Sequence, residues 1–144
     1  MSYTAAQKAL KAYSQIRNGT EVEGADAHRL VALLMDGALE RIGRAKAFMV
    51  ARDIPRKGEQ IGMAVSVIEG LRAALDRERG GAIADNLEAL YDYMLRRLTE
   101  ANLRNDPAIL DEVAGLLREI KGAWEAIREA ALQPAQRPAA RVAP

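Results

Sequence analysis

A chain of 144 residues has room for one cored domain with short tails, and with 49% apolar residues it can fill that core. Twenty-one Lys and Arg against 20 Asp and Glu leave a formal charge of +1, without the basic stripe a nucleic-acid partner would require. The absence of cysteine excludes disulfides and thiolate metal sites.

Aromatic residues are scarce at 4%, and small aliphatics dominate, which favours closely packed helices over a β-sandwich. No apolar run approaches membrane-spanning length, and the first residues lack the apolar core of a signal peptide. A cytoplasmic location without membrane insertion is therefore expected.

Residues 3–17 are predicted to form a short helix with a thin apolar side made of Ala6, Ala9, Leu10, Tyr13 and Ile16. One short helix is marginal alone in water. Asn18, Gly19 and Gly24 then loosen the chain. A second helix is predicted from Asp26, a good N-cap, to about residue 51, with Val31, Leu34, Met35, Ala38, Ile42, Ala45 and Met49 as its main stripe. Leu30, Leu33 and Phe48 lie beside that stripe. The apolar arc is thus wider than one contact needs, and a second partner for this helix is implied.

Asp53-Ile54-Pro55 marks the next start. Ile61, Ala64, Val65, Ile68, Leu71 and Leu75 form the stripe of a third helix expected to end near Arg79, with Met63, Val67, Gly70 and Ala74 as a shallower second strip. Gly80-Gly81 is expected to break it. A long fourth helix follows, carrying Ile83, Leu87, Leu90, Tyr91, Met94, Leu98 and Ala101. Asn105-Asp106-Pro107 stops this helix and starts a fifth, in which Ile109, Leu110, Val113, Leu116, Leu117, Ile120, Trp124 and Ile127 repeat at helical spacing. Residues 133–144, rich in Pro and Ala, are expected to be a disordered tail.

Four long helices with short connections predict an all-α, antiparallel up-down four-helix bundle spanning residues 1–132, with an additional short N-terminal helix. Gly37, Gly43, Gly62 and Gly70 interrupt helices at about 1 kcal/mol each relative to alanine. Close approach of neighbouring helices is the expected reason.

Catalytic chemistry is missing from this pattern. His28 is the only histidine, so the Glu-x-x-His pairs of a carboxylate-bridged metal bundle cannot form. No Gly-rich phosphate loop follows a strand. Asp92 with Glu100, or Asp111 with Glu112, read as solvated charge rather than acid/base pairs. No enzyme, metal or cofactor is expected. The rival reading is a helical signalling or phosphotransfer module built on His28. Val31 and Ala32 stand where such domains usually carry lysine and glycine, and His28 is expected to be a surface residue near a helix start.

Two blocks carry a resemblance. One lies in residues 75–106: the Gly80-Gly81 break, Asn86-Leu87, Leu90-Tyr91-Asp92-Tyr93-Met94, Arg96-Arg97-Leu98 and Ala101-Asn102. The other is Leu33-Leu34-Met35-Asp36-Gly37-Ala38. Together they resemble the flagellar secretion chaperones of the FliS family, over residues 3–127. Met35 departs from the family's usual tyrosine, a change expected to alter a groove's shape rather than the fold. Asp26-Ala27-His28-Arg29 replaces a Ser-Pro-Glu-Lys run while keeping a capping side chain.

The resemblance implies a cytoplasmic helical bundle that binds the C-terminal segment of flagellin, disordered as a monomer and helical when bound. Such binding prevents premature polymerisation and aids delivery to the flagellar type III export apparatus. Flagellin and an export-gate component are the partners implied, and a homodimer is left open.

Helical phase adds its own expectation. Leu30, Leu33, Met63 and Val67 contact the partner, while Val31, Leu34, Ile68 and Leu71 are core. The thin stripe of residues 1–17 and the loose linker after them give a further expectation, a displaceable lid that rests Leu10, Tyr13 and Ile16 in the same groove while it is empty, with a permanently docked fifth bundle helix as the alternative.

Overall fold

In the computed structural model, residues 24–132 are described, with side chains from 28 to 126. They form four helices: α1 (Gly24–Val50), α2 (Ile54–Ala73), α3 (Arg77–Arg104) and α4 (Pro107–Leu132). The predicted helix at residues 3–17 and the tail at 133–144 lie outside the described residues.

Local chemistry sets the helix ends. Asp53 caps α2 by accepting from the Arg56 amide at 3.2 Å, with Pro55 in the first turn where its missing N–H is not needed. Asp76 does the same for α3 through the Arg79 amide, at 3.2 Å. Asn105, left-handed at φ 55° and ψ 48°, ends α3. Asp106 then accepts from the Ala108 amide at 2.9 Å to open α4.

The expected boundary between the third and fourth helices differs from the structure. α2 ends at Ala73, six residues before the predicted Arg79, and Asp76 starts the next helix ahead of the glycines. Gly80-Gly81 therefore sits inside α3. Gly81, at φ 55° and ψ −130°, kinks the helix there in a conformation that side chains disfavour. The aspartate cap outranks the glycine pair as the helix-starting signal. Leu75 falls in the connection yet stays buried.

Each helix packs on two neighbours, α1 and α3 both lying against α2 and α4. Side-chain links fix the antiparallel sense. Lys46 and Asp36 of α1 pair with Asp111 and Lys121 of α4 at 2.9 and 3.1 Å, in opposite chain order. Lys57, near the start of α2, donates to Asn102 O and Asn105 Oδ1 at the end of α3, both at 3.0 Å. This buried ammonium also meets the partial negative charge of a helix C-terminus. Arg72 and Asp92 join α2 to α3. The up-down four-helix bundle is the expected one.

The core follows the predicted stripes. Val31, Met35, Ala38, Ile42, Ala45 and Met49 of α1 meet Ile61, Ala64, Ile68 and Leu71 of α2, Tyr91, Met94, Leu98 and Ala101 of α3, and Ile109, Leu110, Val113 and Leu117 of α4. Each large side chain buried here is worth about 1.5–3 kcal/mol before ordering costs are subtracted.

Candidate partner-binding face

Exposed large apolar side chains occur at three of the positions that helical phase put outside the core. Leu30 and Leu33 on α1 and Met63 on α2 are 43, 52 and 40% exposed. Val67 is half-buried, leaning on the core from the same side of α2. Their neighbours in sequence turn inward: Val31, Ile68 and Leu71 are fully buried, while Leu34 is half-buried against the core. The other predicted contact residues, Leu10, Tyr13 and Ile16, lie outside the described residues.

These side chains share one outer face because α1 and α2 are antiparallel neighbours. Phe48 and Arg56 meet near their hairpin connection, the guanidinium carbon 6.0 Å from the ring centroid. Farther along, Arg41 Nη1 donates to Gln60 Oε1 at 3.5 Å. Positions 30, 37, 41, 44 and 48 fall on one line along α1, since eleven or eighteen residues close a whole number of turns. Leu30, Gly37, Arg41, Arg44 and Phe48 thus form an edge that runs beside Met63 and Val67. The face is apolar toward Leu30 and cationic toward the hairpin.

Glycine placement overturns one expectation. A β-carbon built on Gly37, Gly43, Gly62 or Gly70 meets nothing within 4 Å among the described residues. Close packing among the four described helices is therefore not what these glycines serve. Gly37 and Gly70 open onto the same outer side as Leu33 and Val67.

Met35 is 1% exposed in the core, so its own side chain does not line the open face.

His28 is not a surface residue. It is 1% exposed, its ring stacked on Trp124 with centroids 4.1 Å apart and planes 5° from parallel. Its Nε2–H donates to the Trp124 carbonyl at 2.5 Å, and Trp124 Nε1–H returns a bond to the His28 carbonyl at 2.9 Å. A phosphotransfer histidine must meet solvent and a donor protein, and this one is enclosed between α1 and α4. Helical phase carried the missed signal: His28 precedes Val31 and Met35 by three and seven residues, on the buried side of α1.

Opposite this face, α3 and α4 are joined by a polar cluster. Tyr93 OH donates to Glu112 Oε2 at 2.6 Å and Arg97 Nε donates to Glu112 Oε1 at 2.8 Å. These bonds, that from Tyr93 foremost, hold the Glu112 carboxyl below its ordinary range. The Tyr93 phenol is raised in return, chiefly by the bond to Glu112. Lys121 is raised by its contacts with Asp36 first and Glu125 second. Among the described residues no three His, Cys, Asp or Glu side chains are grouped to hold a metal, and no helix is long and apolar enough to cross a membrane.

Comparison with known proteins then decides the family. The family model described as flagellar protein FliS matches residues 9–131. The chain belongs to the FliS family. It is 51% identical over 122 residues to the flagellar secretion chaperone FliSB of Pseudomonas aeruginosa, covering 85% of this chain and 97% of that one. Identity to the flagellar secretion chaperone FliS of Salmonella typhimurium is 47% over 126 residues, covering 87% and 92%. The Vibrio cholerae FliS chaperone is 45% identical over 118 residues, covering 82% and 87%. FliS proteins are chaperones rather than enzymes. Both blocks that carried the resemblance fall within the matched region, and the one at residues 33–38 contributes Leu33 and Gly37 to the open face.

Proposed function

We propose that this FliS-family chain is a flagellar export chaperone for flagellin, and that the α1–α2 face receives flagellin's C-terminal segment as a helix. The observation that carries the reading is the row of uncovered large apolar side chains, Leu30, Leu33 and Met63, beside half-buried Val67. Apolar side chains at helical spacing suit helix-in-groove recognition. Holding that segment keeps subunits from polymerising in the cytoplasm until an export-gate component accepts them. Residues 1–17 serve as a lid, with Leu10, Tyr13 and Ile16 shielding the face when it is empty.

The direct test titrates a peptide from the C-terminal end of the same organism's flagellin into the full chain, following helicity on mixing. A gain in helix beyond the sum of the two components supports the reading, and additive spectra overturn it. Removing residues 1–17 should leave the bundle folded and tighten binding, because a closed fraction lowers apparent affinity in proportion. Collapse of the helical signal on truncation would count against the lid.

A further inference from the structure

The polar half of the face asks for a specific group. Arg41 is half-buried between α1 and α2, and its bond to the neutral Gln60 amide, at 3.5 Å, is at the outer limit of hydrogen-bond length. Among the described residues it forms no ion pair. Its cationic neighbours are already engaged: Arg44 pairs with Glu40 at 2.8 Å, and Arg56 pairs with Asp53 at 3.6 Å while lying over Phe48. A partly desolvated guanidinium ordinarily meets a carboxylate, often through two parallel hydrogen bonds.

We infer that Arg41 receives a carboxylate of the bound segment and thereby sets its register on the α1–α2 face. This rests on the reading of that face as the flagellin site. The occupant is an amphipathic helix whose apolar stripe covers Leu30, Leu33, Met63 and Val67. Its acidic group lies about 16 Å farther along, the rise of the eleven residues from Leu30 to Arg41. Gly37 lies between, with nothing among the described residues within 4 Å of a built β-carbon, so the partner's backbone can come close there. Charge complementarity selects this occupant over an uninterrupted apolar helix. A wholly apolar partner would cover Arg41 without neutralising it and would leave a buried cation unsatisfied.

Calorimetric titration of the full chain with the flagellin C-terminal peptide tests the assignment. Arg41→Gln should keep the thermal midpoint of unfolding yet weaken binding ten- to a hundredfold, and should flatten its salt dependence. Arg41→Lys should recover part of the loss. Pairing Arg41→Gln with single acid-to-amide changes in the peptide should give a non-additive effect at one position. An amidated peptide C-terminus separates a chain-terminal carboxylate from a side-chain one. Peptide binding that is unchanged by Arg41→Gln overturns this inference alone. No binding by the unmodified chain overturns it together with the reading of the face. A change in self-association in place of peptide affinity would give the surface to a second copy, and would likewise overturn it.

Discussion

The His28 and Trp124 rings lie 4.1 Å apart and nearly parallel, and each residue's side chain bonds to the other's main chain. Two residues 96 positions apart thereby clamp the beginning of α1 against the far part of α4. The clamp stands just ahead of Leu30, so it fixes one end of the open α1–α2 face.

Trp124→Ala should therefore cost about 3–5 kcal/mol, the usual range for emptying a large aromatic site. Trp124→Phe keeps a ring in the stack but removes the indole N–H donor, and should cost about 1 kcal/mol. Urea unfolding measures both. The same enclosure predicts that phosphodonors leave no acid-labile phosphate on the folded protein. A labelled His28 would revive the phosphotransfer reading.

Val67 and Ile68 are adjacent in sequence and differ in burial. Ile68→Asp places an unpaired charge in a fully buried site and should unfold the bundle, a loss above about 4 kcal/mol. Met63→Asp, on a 40% exposed side chain, should stay within about 1 kcal/mol of the parent in stability while abolishing peptide binding. Val67→Asp should fall between them in stability because Val67 leans on the core. Circular dichroism melts rank the three, and equal midpoints would refute the division into core and contact residues.

Periodicity made most of this fold legible. Stripes with period 3.6 assigned Val31, Ile68, Tyr91 and Leu117 to the core and left Leu30, Leu33 and Met63 outside it, since phase alone decides which side of a helix meets its neighbours. The aspartate caps at 53 and 106 were equally readable. Connections were less so. At residues 74–81 a capping aspartate and a glycine pair compete, and sequence alone does not rank them. Tertiary pairs were invisible: nothing local brings Trp124 to His28 or Gln60 to Arg41. The glycines misled for the same reason, because sequence gives their cost in a helix and not what lies beyond them.

The Glu112 cluster makes stability depend on pH at both ends. Glu112's folded pKa is depressed below its ordinary 4.5, so its contribution is complete above that value and is lost as pH falls through the folded pKa. Tyr93's is raised above 10.0, so the bond to Glu112 stabilises the fold below that value and is lost as pH climbs through the raised pKa. Glu112→Gln should shrink the loss of stability that sets in as pH falls below the carboxyl's ordinary 4.5, relative to the parent. Tyr93→Phe should remove this cluster's alkaline limb. Thermal midpoints recorded across pH decide it, and unchanged limbs in both variants would sink the assignment.

The open glycines predict opposite signs for stability and function at neighbouring sites. Gly62 lies on the solvent side of α2, away from the open α1–α2 face, with nothing among the described residues within 4 Å of a built β-carbon. Gly62→Ala should raise stability by about 1 kcal/mol through helix propensity and leave peptide affinity unchanged. Gly37 has the same empty surroundings among the described residues but shares its edge of α1 with Leu30 and Arg41. Gly37→Ala should therefore stabilise the free chaperone by a similar amount and weaken peptide binding, and Gly37→Leu should weaken it further while the bundle still folds. Denaturant midpoints and calorimetric affinities on the same three variants separate the two effects. A Gly37→Leu protein that binds as tightly as the parent would mean that no partner backbone passes over this turn of α1.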